Sequence, residues 1–239
     1  LRPRLGAEPV ARRQAGGSDA VASPAGKTVR LDAMPRGVFV TGTDTDVGKT
    51  LIACALLHAW RAAGKTAIGM KPVAAGCEIQ AQSLICGDVT MLRKASSVQA
   101  PHELVNPYAF EPPVAPHIAA EEAGVAIDLE RIHAAFLKLA KCADIVVVEG
   151  AGGFRVPLNL NEDSADLARK LGLPVVLVVG MRLGCLNHAL LTADAIRAQG
   201  LTLAGWVANR IEPKMPRFEA NLAALRQRLG APLLSVVEF

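Results

Sequence analysis

The chain has 239 residues, 51% hydrophobic and 20% charged, which suits one well-buried α/β domain and is short for two. No apolar run reaches the roughly 18 residues of a membrane-crossing helix, so a helical membrane protein is excluded. The net charge of +4 lies wholly in residues 1–36, where Arg2, Arg4, Arg12, Arg13, Lys27, Arg30 and Arg36 face Glu8, Asp19 and Asp32; residues 37–239 balance 19 basic against 19 acidic residues, which argues against a nucleic-acid partner. The five cysteines, at 54, 77, 86, 142 and 185, include no CxxC pair. They read as free thiols of a reducing, cytoplasmic setting, with neither a zinc site nor a disulfide framework.

Residues 1–36 are rich in Ala, Gly, Arg and Pro and show no periodicity, so they are expected to be a disordered extension. An arginine-rich leader raises organelle targeting, against which its three acids and few serines weigh. Residues 37–239 are expected to form one domain. Strand 38–40 comes first, then helix 50–63 with Gly64 as its stop, then strand 66–70. An amphipathic helix at 128–141 leads into the β-branched run 144–149. The longest apolar run, Leu171–Val179, is interrupted by Gly172 and Pro174 and reads as a buried strand centred on 174–179. Helix 185–199, strand 203–208 and helix 216–229 follow. Strands that are apolar throughout belong to a sheet covered on both faces. Their alternation with helices predicts a doubly wound, mostly parallel α/β sheet, with ligands at the strands' carboxyl ends.

The first strand runs into Gly42-Thr43-Asp44-Thr45-Asp46-Val47-Gly48-Lys49-Thr50 and then a helix. Strand, glycine loop, Gly-Lys-Thr and helix form the setting of a phosphate-binding P-loop. Backbone N–H groups of Thr45, Asp46, Val47, Gly48, Lys49 and Thr50 would face phosphates at a helix N-terminus. Lys49 would neutralise β/γ-phosphate charge, and the Thr50 hydroxyl would ligate Mg²⁺ beside ATP. The usual pattern places glycine where Thr43 stands; here the glycine is one residue earlier, at Gly42.

The stretch TGTDTDVGKT resembles the signature of the dethiobiotin synthases, a P-loop family with relatives among the cobyrinate synthases. The resemblance spans about Gly37 to Leu234. It continues through Met70-Lys71-Pro72-Val73-Ala74-Ala75-Gly76 and through Val146-Val147-Val148-Glu149-Gly150-Ala151-Gly152-Gly153 with Val156-Pro157-Leu158. It includes Asn106-Pro107-Tyr108, Ala115-Pro116-His117, Leu183-Gly184-Cys185-Leu186-Asn187-His188 and Gly205-Trp206-Val207-Ala208-Asn209.

The resemblance implies that Lys71 lies beside a forming carbamate, where its charge would stabilise the anion. Asp88 aligns with an aspartate near the metal, although a carboxylate at a helix start is equally a cap. Glu149 closes a buried strand at the position where a carboxylate holds Mg²⁺, and Gly150, Gly152 and Gly153 let the backbone approach the nucleotide. Asn209 is expected at the adenine edge, with a turn role as the alternative. Leu183, Gly184, Cys185 and Asn187 would receive the substrate carboxylate at a helix N-terminus and a dimer interface. Cys185 has no base placed beside it, and His188 is expected to be packed. Tyr108 and His117 are expected to be structural. Two departures stand out. Ala75 replaces a small hydroxyl residue near the substrate, and residues 233–239 lack the proline that helps hold the base.

The implied reaction is ATP-dependent carboxylation of 7,8-diaminononanoate with CO₂ and closure of a ureido ring, by a cytoplasmic homodimer. The alternatives are a cobyrinate-type amide ligase, a partitioning-type switch ATPase and an inactive nucleotide-binding module. The first would need room for a glutaminase domain. The second would need a lysine early in the P-loop, where Thr43-Asp44-Thr45 stand.

Overall fold

The structure, a computed structural model, describes residues 37–80 and 83–239, so the extension expected over 1–36 lies outside the described residues. In chain order the elements are β1 (Gly37–Gly42), α1 (Lys49–Ala62), β2 (Ala67–Met70), β3 (Val73–Ala74), β4 (Glu78–Gln80), β5 (Ser83–Ile85) and α2 (Gly87–Ala95). Then come α3 (His102–Val105), β6 (Tyr108–Ala109), α4 (Pro116–Glu122), α5 (Leu129–Cys142), β7 (Ile145–Glu149) and α6 (Ser164–Leu171). The chain finishes with β8 (Val175–Gly180), α7 (Cys185–Ala198), β9 (Leu203–Asn209), α8 (Phe218–Arg228) and β10 (Leu233–Val237).

Six strands form one parallel sheet in the order β10-β9-β8-β1-β7-β2. β1 lies inside, between β7 and β8, and every residue of these three strands is buried. Alternate side chains serve opposite faces. Ile145 and Val147 join one core with Ile52, Leu57 and Trp60 of α1 and Leu92 of α2. Val146 and Val148 join the other with Ile132, Leu167, Ile196 and Leu222 from α5, α6, α7 and α8. Helices on both faces explain why the strands are apolar without alternation.

The helix ends follow local chemistry. Gly64, at φ +78°, takes the left-handed turn that stops α1. Asp128 caps α5 by accepting from the Glu130 N–H. Asp163 and Asp166 form a reciprocal capping box on α6, a cap worth about 0.5–2 kcal/mol. That helix corrects the reading of Leu171–Val179 as one strand. Leu171 ends α6, Gly172 turns at φ +64°, and the strand begins at Val175.

Asp144 ties the starts of β2 and β7 together, accepting from the Thr66 N–H at 2.9 Å and hydroxyl at 2.8 Å. Those bonds hold its carboxyl below the ordinary aspartate range. A depressed carboxylate contributes stability above its unfolded pKa of about 3.9 and loses it as pH falls through the folded value. Asp144→Asn is therefore expected to lower the urea midpoint at neutral pH, with the gap to the parent closing below about pH 4. Midpoints measured across a pH series check this; a constant gap would contradict it.

Candidate active site

The site forms where the sheet order reverses around β1, at the strands' carboxyl ends. The loop from β1 to α1 turns through two left-handed residues, Asp46 at φ +56° and Gly48 at φ +89°. Gly48 is required for two reasons. Its φ suits glycine, and a Cβ there would lie 2.3 Å from Asn209 Nδ2. Thr43, in place of the usual glycine, pins the loop to β8: its N–H donates to Val178 O at 2.9 Å and its hydroxyl accepts from Gly180 N–H at 3.2 Å.

Lys49 opens α1 with 6% of its surface exposed and donates to Asp44 O at 2.8 Å. Burial, then the neighbouring Lys71 charge, lower its pKa to about 8, partly offset by Glu149. Lys71, one residue past β2, is 5% exposed. It donates to Glu149 Oε1 at 2.6 Å and to Asp88 Oδ2 at 2.9 Å. Burial opposes its charge, but the two carboxylates outweigh burial and hold its pKa above the ordinary lysine value. Burial likewise pushes the Asp88 carboxyl upward, and Lys71, with Thr50 and Lys49, brings it below the ordinary value. The Thr50 hydroxyl donates to Glu149 Oε1 at 2.8 Å. Glu149 is 1% exposed, and its Oε2 has no hydrogen-bond partner among the described residues.

Lys49 and Thr50, Lys71, Asp88 and Glu149 are thus brought together from four places in the chain's βαβ order. Asn209, at the end of β9, donates to Val47 O at 2.8 Å and so closes the far side of the loop. Gly150 donates to Val40 O, and a Cβ on Gly152 would stand 3.5 Å from Thr45 Oγ1, so the 150–153 turn lies against the P-loop. Thr45 and Asp46 are exposed, Val47 is buried, and Ala75 is half-buried just past β3.

The turn before α7 is linked to the loop by an ion pair of Arg182 with Asp44. Among the described residues no hydrogen bond or ion pair joins Leu183, Gly184, Cys185 or Asn187 to the lysine and carboxylate cluster. Cys185 is 1% exposed, and its N–H donates to Arg182 O at 3.0 Å. The N–H groups of Leu186 and Asn187 are those that the first helical turn leaves without carbonyls. His188 is exposed, contrary to expectation. The buried stripe of α7 runs through Cys185, Ala189, Ala193 and Ile196, and His188 lies off it.

Two residues have roles that the sequence did not reveal. Asp44 holds the Thr45 N–H, the Lys49 ammonium and Arg182 at once. Asn106, 4% exposed, donates to Lys71 O at 2.7 Å and Tyr108 O at 2.9 Å, fixing the peptide that carries Lys71. Tyr108 is structural as expected: its hydroxyl accepts from Asp128 N–H at 3.0 Å, and Arg131 lies 4.7 Å over its ring. His117 sits in the first turn of α4 with its Nδ1 buried.

The family model described as an AAA domain matches residues 36–239. The ATP-dependent dethiobiotin synthetase BioD of Nitrosospira multiformis is 61% identical over 206 residues, covering 86% of this chain and 89% of that protein. The chain belongs to the ATP-dependent dethiobiotin synthetase family. The synthetase of Aromatoleum aromaticum is 62% identical over 203 residues, 85% of this chain and 90% of its own. Among solved structures, the MinC:MinD cell division complex of Aquifex aeolicus aligns with TM-score 0.53 at 15% identity over 85% of this chain and 81% of that one. The 54 kDa signal recognition particle protein of Aeropyrum pernix aligns with TM-score 0.50 at 16% identity, over 88% and 43%. At such identities the likeness concerns the P-loop fold alone.

The synthetase loop geometry makes Gly48→Ala a sharp test. Left-handed strain and the clash with Asn209 are expected to weaken ATP binding about 10- to 100-fold while the fold persists. Calorimetric titration with ATP, alongside circular dichroism, measures it; unchanged affinity would refute the tight approach.

Proposed function

We propose that this protein makes dethiobiotin from 7,8-diaminononanoate, CO₂ and ATP, releasing ADP and phosphate, as a biotin-pathway ligase. The observation that carries the reading is the bonded cluster of Thr50, Lys71, Asp88 and Glu149, with the P-loop Lys49 close enough to feel the charges of Lys71 and Glu149. One substrate amine takes up CO₂ and loses a proton to give a carbamate. The carbamate oxygen attacks the γ-phosphorus as ADP leaves, giving a carbamic-phosphoric anhydride. The second amine attacks the carbonyl carbon, the ring closes, and phosphate and a proton depart. Such chemistry asks mainly for positioning and neutralised charge. Lys71 supplies charge at the carbamate and Lys49 at the phosphates. The N–H groups of residues 45–50 hold the phosphate oxygens, Gly150, Gly152 and Gly153 leave room for the nucleotide, and Asn209 faces the base. Ala75 offers the substrate a small surface without a hydroxyl.

The residues fit Mg²⁺. Glu149 Oε2 is buried without a partner among the described residues, and the Thr50 hydroxyl and Asp88 carboxylate stand beside it, all hard oxygen donors. Mg²⁺ bound with ATP would neutralise β/γ-phosphate charge.

Residues 37–239 act as one domain in a homodimer whose contact includes α7. Leu183, in the turn before α7, is 94% exposed, and Leu191, on the helix and off its core stripe, is 61% exposed. The substrate carboxylate would lie at that helix's start. A cytoplasmic setting accords with unpaired thiols and with the lack, among the described residues, of a helix long and apolar enough to cross a membrane. A partitioning-type switch is disfavoured because Asp44, paired with Arg182, occupies the loop region where such ATPases carry lysine.

The test is ADP release with MgATP and bicarbonate, with and without the diamine. Release that needs the diamine, with a product of dethiobiotin mass, is expected; diamine-independent hydrolysis would sink the reading. Lys49→Ala should lower turnover about 100- to 1,000-fold. Lys71→Ala should lower turnover much more than ATP affinity, and equal losses would contradict the carbamate role.

A further inference from the structure

Two of the five thiols share one place in the fold. β4 and β5 pair antiparallel, with Gln80 opposite Ser83, Ile79 opposite Leu84 and Glu78 opposite Ile85. One step further in that register sets Cys77 opposite Cys86. Opposed residues of an antiparallel ladder have Cα atoms about 4.5–5.5 Å apart, with side chains on one face. That separation lies inside the roughly 4.4–6.8 Å range of disulfides. Cys77 donates its thiol to Ala74 O at 3.8 Å, and the neighbouring Cys86 side chain, ahead of burial, pushes its pKa up, as expected of two sulfurs side by side. Both are reduced, and they are 2% and 6% exposed.

Their position gives the pair a consequence. Cys77 ends the segment that begins at Lys71, and its N–H donates to Phe110 O at 3.0 Å. Cys86 directly precedes α2, whose second residue is Asp88. The two arms that carry Lys71 and Asp88 therefore each run into one of the cysteines. An open cavity of about 490 Å³ is lined by Cys86 together with Arg93, Lys94 and His102. A reagent reaching Cys86 by that route passes a cationic wall, which favours an anionic one.

We infer that Cys77 and Cys86 are a modification site, closing to a reversible disulfide by exchange with an anionic small-molecule disulfide, and that closure ties together the two arms that carry Lys71 and Asp88 and restrains the site between them. The Cys86 sulfur, after losing its proton, attacks one sulfur of the reagent; the reagent's S–S bond breaks and its first thiol leaves. The Cys77 sulfur, also giving up its proton, attacks the Cys86 sulfur of that mixed disulfide, and the second thiol leaves. Two protein thiols are oxidised and one disulfide is reduced to two thiols. The new bond, about 2.05 Å, can close by side-chain rotation at such a Cα separation, and it then fixes the start of α2 to the segment that follows Lys71. Transient disulfides of this kind are the ones reducing compartments tolerate.

The test treats the full chain with oxidised glutathione, counts free thiols and digests without reductant using a protease that cuts after glutamate. Cleavage after Glu78 separates Cys77 from Cys86, so the two peptides stay joined only through a disulfide. Loss of two of five thiols, the joined peptides and reversal by dithiothreitol are expected. Diamine-dependent ADP release should fall about 10- to 100-fold on oxidation and recover on reduction. Cys77→Ser should keep the reduced activity and hold glutathione stably on Cys86. Oxidation confined to Cys54 and Cys142, or unjoined peptides, would overturn the disulfide. Joined peptides with unchanged ADP release would overturn the restraint on the site. The peptide readout stands whatever reaction the site performs.

Discussion

A lysine ammonium buried to 5% exposure has to be paired, and Lys71 is paired twice, with Glu149 and Asp88. Its two partners come from different elements, β7 and α2, so one charge holds a strand end and a helix start against a third strand end. Such an arrangement adds little net stability over an apolar core, but removing one member strands the others, at about 3–5 kcal/mol for a buried pair. The interaction therefore works as a lock on geometry. Asn106 extends it to the backbone by fastening the Lys71 carbonyl.

Around that lock the local charges are poorly settled in one respect. Lys49 and Lys71 are like charges in a largely buried site, and their repulsion contributes to the lowered pKa of Lys49. A polyphosphate entering beside Lys49 would relieve it, while Asp44 gives up the ammonium it holds. Helix N–H groups and two cations favour an anion there. Thr43 and Asn209 hold the loop from opposite sides, so the cradle exists before the ligand arrives.

Much of this was legible from residue order. The β-branched runs around Val147 and Val176 announced strands covered on both faces, and both lie in the buried sheet. Gly48-Lys49-Thr50 and Glu149 were readable because their spacing to strand and helix is local. What could not be read depended on distant partners. Asp44 looks like any loop aspartate until Arg182, 138 residues on, is brought beside it. The short β3 and β6 pair only with each other and carry no periodicity of their own. The capping box of α6 was a missed local signal, hidden because the apolar run from Leu171 drew its last turn into a strand. His188 was misjudged because a helix stripe is set by which face the sheet covers, not by the motif around it.

The parallel order of the sheet also dictates when the site can exist. Thr50 and its carboxylate partner Glu149 are 99 residues apart, and Val47 waits for Asn209 across 162. At ribosomal rates of about 5–20 residues per second, the phosphate loop is made roughly 5–20 seconds before the acid that completes it. Through that interval the nascent chain holds Lys71 without Glu149, and β1 without either neighbour in the sheet. A nucleotide has no finished place to bind on the growing chain until β9 docks, so its contribution to stability falls late in assembly.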